Sequence, residues 1–501
     1  MARKKSAKKE LNKIKKSHPG LYVVILFLLV IIGLGVAYYF ESFDSFLPEN
    51  IKASTVFKKN ANSSNTGGNT GGSGTGGNTG GNTGGNTGGT GTHTEDGIVE
   101  DIIYPDFQIH FMTLGNADAG DSVYIKAGEA DILVDAGAVS GSYTTTSAYV
   151  NQYCKDNKLE YCIATHGDAD HIAAYPKFFQ YYQIGTVIDF TSETYSQFQT
   201  FKASGKSTRD YFCGTTKTTA TYGYYLQARD QYAEHHYTAG DCFKNLNGAQ
   251  AVYQLSDNVK MTILYNYYYY DNDRNNKIDT DDENNVSVCT LFTYTKDGKD
   301  HNFLLTGDLE IEGEEKLANY YNAAKPETTL PKVDLFKAGH HGSKTSSNTC
   351  LLQKIRPAIC VVSCCCGTDE YTGATANQFP TQAFIDRIAP YTDRVYVTTI
   401  FNSFTIETAE QAKDKKTGEL KFDKNGNPES VKTGVAVGKQ YIHTSGYKPM
   451  NGNVCVSCNG DSVGLWASNN LIKLKDSEWF KSKVTLNGVE INVRDCPEAW
   501  K

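Results

Sequence analysis

Four residues with metal-binding side chains stand within six positions of the sequence, directly after an apolar run. The run Tyr161–Ala164 predicts a buried strand that ends at Thr165, and a helix-like pattern begins at Ile172. The turn between them offers two imidazoles and two carboxylates, those of His166, Asp168, Asp170 and His171. Such a mixed set favours zinc, manganese or iron over calcium or magnesium. The turn therefore predicts a divalent metal site.

Three other predicted strands are followed by residues of the same kind. Ala130–Val134 is followed by Asp135, His301–Leu305 by Asp308, and Val333–Ala338 by His340 and His341. The element order β-β-β-α-β-turn-α indicates mixed α/β layers. Metal-activated water at such a centre would attack a phosphodiester, with Asp170 or Asp308 orienting it. The pattern therefore predicts a metal-dependent hydrolase.

These ordered motifs resemble the metallo-β-lactamase fold, and most closely the extracellular hydrolase domain of ComEC-type competence (DNA-uptake) proteins. The resemblance is carried by Asp135, by His-x-Asp-x-Asp-His at 166–171, by Thr-Gly-Asp at 306–308 and by His-His-Gly-Ser-Lys-Thr-Ser at 340–346. It covers roughly residues 107–400 and the Asn453–Leu465 hairpin. It implies an αββα sandwich with metal at one edge.

The resemblance also implies roles for the motif residues. His166 and Asp168 would serve a first metal site, Asp170 and His171 a second, and Asp308 would bridge the two. One or two zinc or manganese ions are expected, and no nucleotide cofactor is expected.

The remaining motif residues surround those ligands. His340 is the preferred ligand of its motif, with His341 as the alternate, and Asp135 would orient a ligand histidine through its other ring nitrogen. Ser343 and Lys344 would hold a phosphate, with Lys344 taking part in catalysis. An equal alternative is that the Ser-Lys-Thr stretch caps the following helix.

The sequence departs from the general superfamily at two points. Asp168 stands where a second histidine is usual, as in the ComEC-type group, which makes a harder metal such as manganese reasonable. The histidine usually found before the Gly-Asp motif has no clear match. His235 and His236 occupy the right interval, but we expect them to be surface residues of an irregular, Tyr-rich insertion at 191–250.

The N-terminal segment predicts a membrane anchor. Residues 1–20 carry eight Lys/Arg and one acid, and Leu21–Phe40 is a run of 20 uncharged residues, long enough to span a bilayer core of about 30 Å. The basic flank predicts an N-terminus inside and a hydrolase domain outside the cell. A cleaved signal peptide, with Gly35-Val-Ala37 as its site, is the competing interpretation.

The anchor is followed by a linker, a hydrolase domain and an extension. Residues 41–106 are expected to form a flexible linker, rich in Asn, Thr and Gly at 63–94. The hydrolase domain is expected at 107–467, with a second insertion near 405–435 and a C-terminal extension at 468–501. Thirteen cysteines outside a cell would suggest disulfides with at least one thiol left over.

The segment 271–282 resembles an EF-hand-type calcium loop. Its oxygen ligands would be Asp271, Asp273, Asn275, Asp279 and Asp282. A solvated acidic hairpin loop is an equally weighted alternative.

Charge and composition leave three functional hypotheses open. Subtracting the +7 of residues 1–20 from the formal −7 of the chain leaves −14 for the rest, whereas nucleic-acid binders normally present a basic surface. The first hypothesis is a phosphodiesterase or nuclease. The second is a phosphoesterase for a small or cell-wall-associated substrate, and the third is a non-catalytic binding module stabilised by metal.

Overall fold

The computed structural model describes residues 97–205, 219–272, 279–280, 282–322, 329–368, 377–432, 435–486 and 488–501. All of these residues belong to one compact unit, Gly85–Lys501. Within the described ranges no helix combines the length and the apolar character needed to cross a membrane. The predicted anchor Leu21–Phe40 and the Gly-rich linker lie outside those ranges.

A nine-stranded sheet supplies one half of the architecture. Its strands are β1 Ile98–Glu100, β2 Phe107–Phe111, β3 Val123–Ala127, β4 Ala130–Val134, β5 Lys158–Ala164, β6 Gln183–Asp189, β7 Ala233–Thr238, β18 Val454–Cys458 and β19 Val463–Ala467, in the order β1-β19-β18-β2-β3-β4-β5-β6-β7. The strands from β4 to β7 are parallel, so their carboxyl ends meet at one edge.

An eight-stranded sheet supplies the other half. Its strands are β8 Val252–Gln254, β9 Val259–Ile263, β10 Thr290–Lys296, β11 Lys299–Leu305, β12 Leu335–Lys337, β13 Ile359–Cys366, β14 Val395–Ile400 and β17 Lys448–Pro449, in the order β17-β14-β13-β12-β11-β10-β9-β8. The strands from β11 to β14 are parallel. The short hairpins β15 Ser403–Thr408 with β16 Gln440–Ser445, and β20 Lys483–Leu486 with β21 Val489–Asn492, stand apart from both sheets.

The two sheets pack face to face and share one apolar core. Successive side chains of a strand point to opposite faces of its sheet, so alternate residues of each strand enter this core. Phe107 of the first sheet contacts Phe303 of the second, with ring centroids 5.1 Å apart. The next residue, Leu304, points the other way and joins a second core cluster with Phe336 and Leu351. Both faces of β11 are therefore buried, which explains its nearly continuous apolar sequence.

Helices cover the outer faces. They are α1 Ser142–Val150, α2 Ala169–Ile172, α3 Tyr175–Tyr181, α4 Tyr195–Ala203, α5 Ala220–Tyr232, α6 Ala239–Lys244, α7 Ile311–Tyr320, α8 Thr349–Ile355, α9 Gln382–Ile388 and α10 Glu478–Lys481. On the first sheet, the Tyr175 hydroxyl of α3 donates to the carbonyls of Leu133 and Ile163. The layers are thus helix, sheet, sheet and helix, a mixed α/β fold as the sequence predicted.

The segment 191–250 differs from the irregular insertion we expected. It contains the helices α4, α5 and α6 and the edge strand β7, with residues 206–218 outside the described part. The expectation was wrong because the helices are rich in Tyr, Thr and Gln and have little periodicity. Their stability comes from buried rings such as Phe198, Tyr222 and Tyr225 packed against the sheet.

Two other segments have ordered local structure. In the second expected insertion, Asp423 and Asn427 close a turn, with the Asp423 N–H donating to the Asn427 carbonyl at 2.8 Å. In the C-terminal segment, Trp479 and Trp500 are buried in the second core cluster. All twelve cysteines within the described residues are free thiols, so the disulfides suggested by the sequence are not formed among them.

A buried ion pair joins β6 to α5. Asp189 at the end of β6 accepts from the Arg229 guanidinium at 2.8 Å, from His236 Nε2 at 2.9 Å and from the Tyr225 hydroxyl at 2.7 Å. Burial alone would raise the pKa of the Asp189 carboxyl, but His236 and Arg229 lower it below its ordinary value. This network fixes the helical segment to the sheet edge.

The Asp189→Asn substitution should lower the free energy of unfolding by about 3 kcal/mol at neutral pH, because it leaves the buried Arg229 charge with Asp230, which is 30% exposed, as its remaining carboxylate partner. Because the pKa of Asp189 is lower in the folded than in the unfolded chain, its carboxylate stabilises the fold at a pH above the unfolded pKa. The difference in unfolding free energy between the variant and the unmodified chain should therefore narrow as the pH falls below about 4. Urea unfolding of the full-length chain measures both effects. Asp461→Asn, which alters an exposed pair with Lys296, is the control; an equal loss in both variants would contradict the prediction.

Candidate metal centre

Strand ends from both sheets deliver the motif residues to one edge. His166 follows the end of β5, and Asp168 is the N-cap of α2, which places Asp170 and His171 in its first turn. Asp308 follows β11, and the turn Gly339–Gly342 follows β12. Because β5 and β11 end at a shared edge, residues about 140 positions apart meet there.

Four side chains converge within this edge. One ligand atom from each lies within 4.8 Å of all the others in the group formed by Asp170, His171, Asp308 and His341. Asp308 Oδ2 is 3.1 Å from His171 Nε2 and 3.2 Å from His341 Nε2. His341 Nε2 is also 3.1 Å from Asp170 Oδ2. Two imidazoles and two carboxylates thus face one point, a donor set that suits a divalent transition metal.

Asp135 holds His171 in its orientation through hydrogen bonds on both of its carboxylate oxygens. Its Oδ2 accepts from His171 Nδ1 at 2.7 Å, and the Thr165 backbone N–H and hydroxyl donate to its two oxygens at 2.8 Å each. The same Thr165 packs against Gly307, where an added Cβ would lie 2.7 Å from the Thr165 Cβ. Glycine at 307, with φ of +55°, is therefore what allows the two strand ends to approach.

Two charged residues beside this group were not identified from the sequence. The buried Lys337 ammonium at the end of β12 lies 3.1 Å from Asp308 Oδ1 and 2.5 Å from Asp121 Oδ2. Lys337 sits inside an apolar strand pattern, and Asp121 lies just before strand β3. A charge at a strand position that is buried on both faces is the signal that could have found Lys337.

The carboxylates control the protonation of the site. Burial alone would lower the pKa of His171, but Asp308, Asp135 and Asp170 raise it well above its ordinary value. Burial alone would also lower the pKa of His341, but the Asp308 and Asp121 carboxylates raise it well above its ordinary value. Burial would raise the pKa of Asp308, yet the neighbouring imidazoles bring it well below its usual range. A cluster of this kind attracts positive charge, whether protons or a metal ion.

His340 and His341 play different parts in the geometry. Both have left-handed backbone conformations, with φ of 45° and 53°, which send their rings in different directions. His341 Nδ1 donates to the Ser363 carbonyl at 2.9 Å, leaving Nε2 for the cluster. His340 Nδ1 is 2.9 Å from Glu310 Oε1, and its Nε2 is 3.9 Å from Asp308 Oδ2. The atom that joins the four-residue group is therefore that of His341, the sequence alternate, and His340 lies at the margin.

His166 and Asp168 lie beside the four-residue group. The ring of His166 is fully buried and its centroid is 4.1 Å from that of His171. Its Nε2 has no hydrogen-bond partner among the described residues, and its nearest carboxylate oxygen is Asp168 Oδ2 at 3.6 Å. A buried imidazole nitrogen without a partner is costly, and a metal ion would satisfy it.

Ser343 and Lys344 do not form a helix cap. The next helix, α8, begins at Thr349 with Asn348 as its N-cap, so the capping alternative was wrong. Ser343 is buried, with its hydroxyl 2.9 Å from the Thr345 hydroxyl. The Lys344 ammonium donates to Asn377 Oδ1 at 2.9 Å on the surface.

His235 and His236 lie on the edge strand β7. His235 is 57% exposed, and His236 pairs with Asp189 at 2.9 Å. We expected both histidines to be surface residues. His235 is exposed, but His236 is only 28% exposed and belongs to the hydrogen-bond network of Asp189.

The predicted calcium loop is described only in part. Asp273 and Asn275 lie outside the described residues. Asp279 accepts from the backbone and side-chain N–H groups of Asn272 at 2.8 Å each. Asp282 caps the 3-10 helix Glu283–Val286.

Two known proteins are similar to short parts of this chain. No protein-family model matches the chain. Recombination protein 2 of Haemophilus influenzae is 38% identical over 79 residues, 16% of this chain and 8% of that protein. ComE operon protein 3 of Bacillus subtilis is 38% identical over 61 residues, 12% of this chain and 7% of that protein. The sequence resemblance to ComEC-type competence proteins is thereby confirmed, although the chain matches only a small part of either relative.

Among solved structures, the chain is similar to metallo-β-lactamases. GOB-18 from Elizabethkingia meningoseptica is 14% identical, with 40% of this chain and 62% of that chain covered and a TM-score of 0.24. LRA-12, a class B3 di-zinc metallo-β-lactamase from an Alaskan soil metagenome, is 15% identical, with 40% and 63% covered and a TM-score of 0.23. The mixed α/β fold itself follows from the strand orders and the helices of this chain.

Metal content should depend on His171 and His341 but not on His340. We expect His171→Ala and His341→Ala each to weaken zinc binding at least about 100-fold. Removing a residue that only supports a ligand costs up to about 100-fold in metal affinity, so removing a ligand should cost at least as much. His340→Ala should bind zinc like the unmodified chain, and exposed His235→Ala serves as the control. Chelator competition and elemental analysis of the full-length chain give the readout. Equal loss in His340→Ala and His341→Ala would make His340 a ligand.

Proposed function

We propose that this protein is a metal-dependent hydrolase that cleaves phosphodiesters, as a membrane-anchored extracellular enzyme of the ComEC-like type. The observation that carries the proposal is the convergence of Asp170, His171, Asp308 and His341 on one point at the edge of the sandwich. The buried Nε2 of His166, which has no hydrogen-bond partner among the described residues, lies beside this group and would be satisfied by a second ion.

The surrounding residues would hold the ligands in place. Asp135 fixes the His171 tautomer by accepting from Nδ1, which leaves Nε2 as the donor to the ion. The Ser363 carbonyl does the same for His341. When bound, the ion would activate water and neutralise charge on the phosphoryl oxygens. The side chain of Asp170 is 35% exposed and so provides the face that is open to solvent and substrate.

His340 is the residue best placed to contact the substrate. Glu310 accepts from His340 Nδ1 at 2.9 Å and from the Thr345 hydroxyl at 2.6 Å, which holds the ring with Nε2 at the margin of the ligand cluster. With Nδ1 already donating to Glu310, Nε2 would donate to a phosphoryl oxygen in the imidazolium form, which carries a proton on both ring nitrogens. Lys344, directed toward Asn377, would reach a longer substrate only after leaving that contact.

Zinc or manganese is the proposed ion. Imidazole nitrogens favour zinc. Asp168 supplies a carboxylate where a histidine is usual, and a ligand set richer in carboxylates suits manganese. A second ion would use His166 and Asp168, which stand apart from the four-residue group. Calcium in the 271–282 loop remains part of the proposal, with Asp271, Asp279 and Asp282 as its described ligands.

A phosphoesterase acting on a small or cell-wall-associated substrate is the second candidate. The formal charge of about −14 outside residues 1–20 favours it, because a polyanion would be repelled at long range. Nucleic acid remains the first candidate because of the local identity to the two competence proteins. A non-catalytic, metal-stabilised binding module is the outcome to be distinguished by assay.

The full-length chain loaded with zinc or manganese should hydrolyse bis-p-nitrophenyl phosphate and single- or double-stranded DNA. Asp308→Asn should lower kcat/KM at least about 100-fold, because it removes a ligand charge rather than a supporting contact. Asp300→Asn, which changes an exposed carboxylate near the start of β11, the strand that leads to Asp308, is the matched control. Cleavage rates and the circular dichroism spectrum are measured together.

The three hypotheses separate by outcome. Loss of turnover with an intact fold supports catalysis, and activity confined to small esters favours the second candidate. A chain that is inert on every substrate with either metal, and that unfolds when Asp308→Asn loses its ion, would identify a structural metal instead.

The anchor is proposed from the uncharged run Leu21–Phe40 and its basic flank. Protease added to intact cells should therefore degrade the hydrolase domain while residues 1–20 stay protected. Deleting residues 21–40 should release the protein from the membrane fraction. Full protection of the hydrolase domain in intact cells, with digestion after lysis, would refute an extracellular location.

A further inference from the structure

The ammonium group of Lys337 is enclosed and fully satisfied by acceptors. Its side chain is 1% exposed, and its Nζ lies 2.5 Å from Asp121 Oδ2 and 3.1 Å from Asp308 Oδ1. It also donates to the Gly307 carbonyl at 2.9 Å. An ammonium has three donors, and these three acceptors use all of them. Lys337 has no free donor for a substrate, so its function must act through its partners.

The charge balance of the centre depends on this one lysine. Four carboxylates contact the cations of the centre, which are His171, His341 and Lys337. They belong to Asp121, Asp135, Asp170 and Asp308. Asp121 is 3% exposed and its Oδ1 has no hydrogen-bond partner among the described residues. Buried charges are tolerated only when they are paired. Without Lys337, the two imidazoles would face four carboxylates alone.

Lys337 also divides the two oxygens of Asp308. Oδ1 is bound to the ammonium, while Oδ2 faces His171 Nε2, His341 Nε2 and, farther away, His340 Nε2. The carboxylate therefore cannot rotate without breaking an ion pair in a water-poor environment. Only Oδ2 is presented to the point where the ligand atoms converge.

We propose that Lys337 is a built-in counter-ion, which lets the carboxylate-rich centre fold before metal binds and which lowers the affinity of the centre for that metal. The inference rests on the proposed metal centre. Lys337 is a positioning residue, since it presents Asp308 Oδ2 to the ion. Its fixed positive charge sits on the far side of the same carboxylate and repels a divalent cation. Asp121 reduces this repulsion, because its negative charge is paired with the Lys337 ammonium.

The proposal is tested by zinc competition against a chromogenic chelator, with thermal melting of the full-length chain in the presence and absence of zinc. Lys337→Met should bind zinc about tenfold tighter or more, because one unit of nearby positive charge is removed. Its metal-free form should melt lower, and zinc should raise its melting temperature by more than it raises that of the unmodified chain. Asp121→Asn should bind zinc about tenfold more weakly, for the opposite reason.

The double variant Lys337→Met/Asp121→Asn separates charge from geometry. It restores the net charge of the unmodified centre, so its affinity should lie within about threefold of the original value. Lys126→Met, which breaks a buried ion pair with Asp131 away from the centre, should lower stability without changing zinc affinity. Lys337→Arg keeps the charge and should not bind zinc more tightly.

The outcomes distinguish this inference from the proposed function. If the unmodified chain binds zinc but Lys337→Met binds it equally or more weakly, the counter-ion role is wrong and the hydrolase proposal stands. If Lys337→Met does not fold, an unchanged zinc affinity in Asp121→Asn overturns the role just as clearly. Failure of the unmodified chain to bind zinc or manganese overturns both.

Discussion

The two oxygens of the Asp308 carboxylate are committed to different partners, and the rest of the centre depends on that division. Oδ1 is paired with the buried Lys337, while Oδ2 faces the Nε2 atoms of His171 and His341. Each histidine is held from behind by an acceptor on its Nδ1, the Asp135 carboxylate in one case and the Ser363 carbonyl in the other. The ligand atoms of Asp308, His171 and His341 are thus each oriented by a group that does not itself face the cluster, which is how metal sites obtain their geometry.

The sandwich architecture makes this arrangement attainable, because parallel strands of both sheets end at the same edge. The contact is close at Gly307, where any side chain would collide with Thr165, and the Thr165 carbonyl accepts from the Val288 N–H of the other half at 2.9 Å. Left-handed backbone conformations at Asp135, His340 and His341 turn the chain sharply after each strand. Such conformations cost about 1–3 kcal/mol each for residues with side chains, and they cluster where function requires a fixed geometry.

The sequence predicts most strands because both faces of each sheet are buried and the strand patterns are short, apolar and punctuated by turns. Ala130–Val134 agrees residue for residue, and His301–Leu305 differs by two residues at its start. The ligand-bearing strand ends follow from the same patterns. What the sequence does not predict is set by contacts between distant segments. Lys337 reads as part of an apolar strand until Asp121, more than 200 residues earlier, is placed beside it.

The choice between His340 and His341 shows the same limit on a smaller scale. Adjacent histidines of identical chemistry are separated only by backbone angles, and those angles depend on Glu310 and Ser363 in other elements. Glu310 also connects the centre to the acidic loop, because burial and this neighbouring carboxylate raise the pKa of Asp282 to about 6. With a pKa of about 6, the Asp282 carboxyl is mostly ionised at neutral pH and is available as the calcium ligand that the loop pattern suggested. Asp282 also contributes, through Glu310, to the orientation of His340, a role that the spacing of the loop could not indicate.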